Sequence, residues 1–78
     1  MIIEVTQADI EAGVQGEPRK CAIALAVQRA LNMKVEIGGV TLYVKDGTTC
    51  RLPEIVQDFI MHFDYGNPVQ PFSFEVDI

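Results

Sequence analysis

The chain has no tryptophan, one histidine (His62) and two cysteines, Cys21 and Cys50. A structural zinc site takes four ligands, so three scattered Cys and His residues exclude one. Two cysteines could form a single staple. The opening MIIEVTQAD, however, has neither the basic nor the apolar region of a secretory signal, so the expectation is a cytoplasmic protein with both thiols free. No apolar run is long enough to cross a membrane. Lys and Arg are absent from residues 1–16 and from residues 53–78. All six basic residues fall between positions 17 and 52, spread over one helical and three strand-like segments. With a net charge of −5, that spread argues against a phosphate-tracking groove. Tyr43 and Tyr65 are too few for a base-stacking platform. Neither direct nucleic-acid binding nor membrane binding is therefore expected.

What is present suits one small soluble domain. Of 78 residues, 49% are apolar, enough for one core and too many for a disordered chain. A core this small supplies only about 3–5 kcal/mol of net stability. Homodimerisation is one way such a chain gains more.

Ile2 to Val5 is β-prone. Thr6 and Asp9 then have the spacing of a capping box for a short helix over about Gln7–Ala12, which Gly13 would end in a left-handed conformation. Pro18, suited to a first helical position, predicts that the main helix runs from Pro18 to Leu31, with Arg19 and Lys20 in its first turn. Ile23, Ala26, Val27, Ala30 and Leu31 share one apolar face at helical spacing, while Arg19, Lys20, Gln28 and Arg29 belong to the wet side. Asn32 suits the exit cap.

The period then changes to two. Met33, Val35 and Ile37 alternate with polar residues, as do Val40, Leu42 and Val44, and then Thr48, Cys50 and Leu52. Gly38-Gly39 and Asp46-Gly47 mark the two hairpin turns of a three-stranded antiparallel meander. Pro53 opens another helix with Ile55, Val56, Phe59, Ile60 and Phe63 as its buried stripe, stopped at Gly66. Phe72, Phe74, Val76 and Ile78 alternate with Ser73, Glu75 and Asp77 in a last strand. The fold class expected is α+β: a small antiparallel sheet, made of the meander plus N- and C-terminal strands, with two amphipathic helices on one face. The terminal strands are expected in the same sheet; side by side, they would gather Glu4, Glu75 and Asp77.

Three stretches are similar to a recurrent group of very short bacterial and phage-borne proteins. They are Thr6-Gln7-Ala8-Asp9-Ile10-Glu11-Ala12-Gly13-Val14, Cys21-Ala22-Ile23-Ala24-Leu25-Ala26, and the segment that opens Leu52-Pro53 and runs from Phe63-Asp64-Tyr65-Gly66 to the distinctive Pro71-Phe72-Ser73-Phe74-Glu75. That group often has proline after the first cysteine, where this chain has Ala22. The resemblance implies a phage or mobile-element setting and a reproducible small fold. It carries over no catalytic residue.

Four constellations carry chemistry. Cys21 beside Lys20, near a helix start, has the surroundings that lower a thiol pKa, but it lacks an oxyanion hole and has only His62 as a base. His62 also stands four residues after Asp58, a helical pair. Gly16-Glu17-Pro18-Arg19-Lys20 sets two cations at a helix start, a candidate anion site for a nucleotide. Glu4, Asp64, Tyr65, Glu75 and Asp77 are candidates for an acidic surface that contacts a basic protein. The functional expectation is a non-enzymatic protein without cofactor or metal. It would bind and inhibit a host protein, such as a nucleic-acid-handling defence complex, in the manner of an anti-CRISPR inhibitor. The alternatives are nucleotide sequestration at Arg19 and Lys20, and a structural accessory role.

Overall fold

A computed structural model describes all residues, 1–78. The chain forms β1 (Ile2–Val5), α1 (Gln7–Ala12), α2 (Ala22–Leu31), β2 (Val35–Gly38), β3 (Thr41–Val44), β4 (Thr49–Arg51), α3 (Glu54–Asp64) and β5 (Phe72–Glu75). This is the expected α+β class, in the expected order of elements. The strands form two ladders rather than the one sheet expected: β2-β3-β4 is the antiparallel meander, and β1 pairs antiparallel with β5 in a ladder of its own, with no strand bonding across to join them. The Met1 amino group and N–H of Val76 extend that ladder, bonding the carbonyls of Val76 and Met1 respectively. Both chain ends are thereby tied down.

Local chemistry explains most boundaries. The Thr6 hydroxyl accepts the Asp9 N–H, and the Asp9 carboxylate accepts the Thr6 N–H at 2.9 Å, closing the capping box of α1. Asn32 ends α2 in the left-handed conformation. The first hairpin turn is displaced by one residue from the Gly-Gly pair, because Gly38 pairs with Thr41 and the two-residue loop is Gly39-Val40. Gly39 has φ +61, the positive angle that a type II′ turn needs at its first loop position.

Two helical expectations change. Gly13 is extended rather than left-handed. Its role is close packing: a Cβ there would lie 2.8 Å from the Ala22 nitrogen and 2.9 Å from the Phe63 ring. In addition, α2 begins at Ala22, four residues after Pro18. The Glu17 carbonyl accepts both the Lys20 and Cys21 N–H groups, a single turn. The Lys20 carbonyl then turns away to accept the Val14 N–H at 2.8 Å, so it makes no helical bond and the turn does not propagate. Cys21 becomes the cap, its sulfur accepting the Ala24 N–H.

Eighteen buried apolar side chains form one core shared by both ladders and α2 and α3. In α2 the buried residues are Ala22, Ile23, Ala24, Ala26 and Val27. Their small size lets the helix approach α1, β1 and β2 closely. Ala30 is exposed and Leu31 half-buried, so the packed face of α2 lies in its N-terminal turns. Val56, Phe59 and Phe63 are the buried stripe of α3; Ile55, expected within it, is 57% exposed. Phe59 meets Phe72 of β5 at a ring-centroid distance of 4.9 Å, which anchors α3 on the terminal ladder. Met33 and Val40, at strand ends, are also exposed.

Asp9 is the one buried charged residue, 4% exposed. Arg29 crosses from α2 and donates both guanidinium ends to it, Nη1 to Oδ1 and Nη2 to Oδ2 at 2.9 Å. Its Nη2 also donates to the Glu4 carbonyl of β1 at 2.8 Å. Arg29 thus turns back from the wet side to join α1, α2 and β1. Burial opposes ionisation of Asp9, but the hydrogen bonds from Arg29 and Thr6 outweigh it and hold the carboxyl below its ordinary value.

Two outcomes test this account. Because Asp9 titrates lower in the fold than in the unfolded chain, its contribution is complete above the ordinary value of 3.8 and is lost as the pH falls through the native value. Arg29→Met keeps the stem and removes the charge, so it should cost about 2 kcal/mol at neutral pH in urea unfolding, less than a fully buried pair because Arg29 is half in water. The gap to wild type should shrink as the pH drops below about 4; a gap unchanged with pH would show that Asp9 is not the partner that matters. Gly13→Ala should destabilise by about 1–3 kcal/mol, since neither the Ala22 backbone nor the Phe63 ring can yield freely; a neutral result would rule out the tight packing.

Candidate functional site

The terminal ladder carries the densest part of the expected acidic surface. Its register pairs Ile2 with Glu75 and Glu4 with Ser73. Ile3, Val5 and Phe74 point into the core, so Ile2, Glu4, Ser73 and Glu75 share the outer face, with Glu4 and Glu75 as diagonal neighbours. Asp77 continues the exposed row of β5 beyond Val76. None of the three carboxylates forms an ion pair; the pairs in the molecule are Arg29–Asp9 and Arg19–Glu36. Ile2 is 61% exposed among them, with Met1 and Ile78 also exposed at the same end of the ladder. An open depression beside Glu4 is lined by Gln7 of α1 and Ser73 of β5.

Asp64 and Tyr65 belong elsewhere. They close α3 against the connector between α1 and α2, where the Asp64 carboxylate accepts the Gly16 N–H at 3.0 Å. Tyr65 is 78% exposed there. The negative charge of Asp64 acts on Cys21 and that of Asp77 on Cys50, at the start of α2 and in β4 respectively. The five acidic-surface candidates therefore fall into two groups, the ladder trio and the α3 exit.

The basic pair at positions 19 and 20 does not stand in a helix N-terminus. It occupies the turn before the cap, and Arg19 reaches sideways to Glu36 of β2 at 3.8 Å. The same turn closes the outer edge of β2, since the Ile37 N–H donates to the Pro18 carbonyl at 2.8 Å. Arg19 is thus drawn toward β2, while Lys20 directly precedes the Cys21 cap of α2.

Cys21 is buried, and the environment expected to activate it is absent. Burial pushes its thiol up, with the Asp64 charge adding to the effect, and these outweigh the hydrogen bonds from Ala24 and Ile23. Cys50 is half-buried, and burial together with Asp77 raises its thiol as well. His62 faces Asn67, 3.3 Å from its amide, rather than forming the helical pair with Asp58. No group of three or more His, Cys, Asp and Glu side chains is arranged to hold a metal ion. The pairing of Asp9 with Arg29 was missed because twenty residues separate them; the capping box and the helix pattern each explained one partner without the other.

Thiol reactivity checks this placement. With Ellman's reagent at neutral pH, Cys50 should react first and Cys21 at least about tenfold more slowly, with the two rates converging in denaturant. A fast-reacting Cys21 in the native protein would contradict the buried cap.

No protein-family model matches the chain, and neither a curated protein nor a solved structure matches it. Functional inference therefore rests on the surface just described.

Proposed function

We propose that this protein acts by binding, and that the outer face of the β1–β5 ladder is its contact surface for a basic region of another protein. The observation that carries the reading is the unpaired trio Glu4, Glu75 and Asp77 around exposed Ile2, on the face of a ladder tied at both chain ends. Carboxylates around an apolar anchor suit a surface rich in Lys and Arg: the charges steer the encounter and the anchor supplies burial. A partner's basic side chain would seat in the depression between Glu4, Gln7 and Ser73. Asp64 and Tyr65 form a second acidic contact at the α3 exit, engaged by the same partner only if it reaches around the molecule. In the phage or mobile-element setting that the resemblance implies, the partner class is a host protein that handles nucleic acid, a defence complex included. The action would be stoichiometric occlusion, as by an anti-CRISPR inhibitor, in the host cytoplasm.

The test is affinity capture from a bacterial host lysate with identification by mass spectrometry, followed by binding measurements on the captured protein. Binding should fall steeply with added salt and by at least about tenfold in Glu4→Lys/Glu75→Lys/Asp77→Lys, while Asp64→Lys has the smaller effect. A captured partner that binds the triple variant as tightly as wild type would remove the ladder face as the contact surface.

A further inference from the structure

Four of the six basic residues, Arg19, Lys34, Lys45 and Arg51, gather around one face although they lie far apart in sequence. The meander buries Val35, Ile37, Leu42, Val44 and Leu52, so the alternate residues all face solvent on the other side. The register arranges that outer face in three rows. Lys34 lies opposite Lys45, joined by the Lys45 N–H to the Lys34 carbonyl at 3.0 Å. Glu36, Tyr43 and Thr49 form the middle row, with Arg19 at its β2 end. Gly38, Thr41 and Arg51 form the third.

The charges on this face are unusual for an acidic chain. Lys34, Lys45 and Arg51 have no ion-pair partner, although the chain holds eleven Asp and Glu residues. Two lysines directly opposite each other repel and cost stability. Of the carboxylates around this face, Glu36 pairs with Arg19, Asp46 accepts the Thr48 N–H, and Glu54 and Asp58 share an open depression with Arg51. Of the acidic groups near the terminal ladder, Asp77 is the one whose charge reaches the meander, at Cys50 of β4.

We propose that the solvent face of the β2–β3–β4 meander binds single-stranded nucleic acid. Tyr43, 46% exposed, is the stacking residue at the centre, its ring packed against the bare backbone of Gly38. Cations flank it along β3: Lys34 and Lys45 at one end, and Arg51 beside Thr41 roughly 13 Å away at the strand spacing. A base stacked on Tyr43 leaves its neighbouring phosphates over these cations, and the Thr41 and Thr49 hydroxyls offer further contacts to the backbone. An acidic protein is the weaker fit, because this face has no apolar core beyond Tyr43 for such an interface to bury. The depression at the Arg51 end of the face is open rather than enclosed, which suits an extended strand better than a small ligand. The proposal does not depend on the reading of the acidic ladder face.

The experiment is fluorescence anisotropy of the full chain with labelled oligothymidylate and oligouridylate of about twenty nucleotides. Wild type should bind at low salt and lose affinity steeply as salt rises. Lys34→Gln/Lys45→Gln and Arg51→Gln should each weaken binding at least about fivefold, and Tyr43→Ala about tenfold, with Tyr43→Phe retaining it. Melting curves of the same variants establish that they are folded; these side chains are exposed, and Tyr43→Phe keeps the ring over Gly38 should Tyr43→Ala fail to fold. Absence of binding to both oligonucleotides at low salt would overturn the proposal, as would binding indifferent to the cation substitutions. Competition by polyglutamate together with indifference to Tyr43→Ala would overturn it in favour of an acidic protein partner.

Discussion

The fold depends on one charged contact in an otherwise apolar interior. Asp9 is buried because it serves as the return half of the α1 capping box, and a buried carboxylate without compensation would be costly. Arg29 provides the compensation from α2 and uses its remaining donor on the backbone of β1. The planar guanidinium suits this task, since one fork can serve a bidentate carboxylate and a carbonyl together. Lysine in the same place would satisfy at most part of it. The contact ties α2 to the adjoining β1 and α1, and the position of β1 sets that of β5 through their ladder. In a chain with no disulfide, this is the nearest thing to a staple.

That use of Arg29 also shapes the surface. It commits the one basic residue near the terminal ladder to Asp9, leaving Glu4, Glu75 and Asp77 without an ion pair, although the Arg29 charge still acts on Glu4. The remaining five basic residues lie on the meander or in the turn along its edge. Net charge alone describes neither region. The molecule presents opposite signs on two ladders that share one core. Binding behaviour inferred from the total of −5 would miss the basic face altogether.

The residues themselves made much of the fold legible. Alternation over Val35–Leu52 located the meander, and the Thr6–Asp9 spacing located α1 and its cap. What sequence spacing could not show were non-local choices. Pro18 is a sound helix opener, yet the Lys20 carbonyl is taken by Val14, a bond that exists only once the connector folds back. Gly13 is the helix stop its position suggests, but in an extended conformation, and its missing side chain makes room for Ala22 and Phe63. Ile55 fits the helical stripe by period, but the core is already filled by Val56, Phe59 and Phe63, and it is left in water. The acidic candidates were legible as residues and only partly as a site: the β1–β5 register joins Glu4 to Glu75, while Asp64 is committed to the Gly16 N–H.

The same register logic explains why the charges sort by face. In an antiparallel meander every residue's side is decided by parity once one buried residue is known. Leu42 is fully buried, so Tyr43 and, by pairing, Lys34, Glu36, Lys45 and Arg51 must face outward together. A shift of one residue would bury four charges and expose the core, so the clustering is enforced by the same hydrophobic burial that forms the sheet. Folding compels the side on which these residues lie; it does not compel their identity. Four outward positions of the meander could carry Thr, Gln or Glu at no cost to the core. That Lys34 and Lys45 face one another with no carboxylate between them is therefore a feature the fold does not require, and it is where a ligand's negative charge would be most strongly felt.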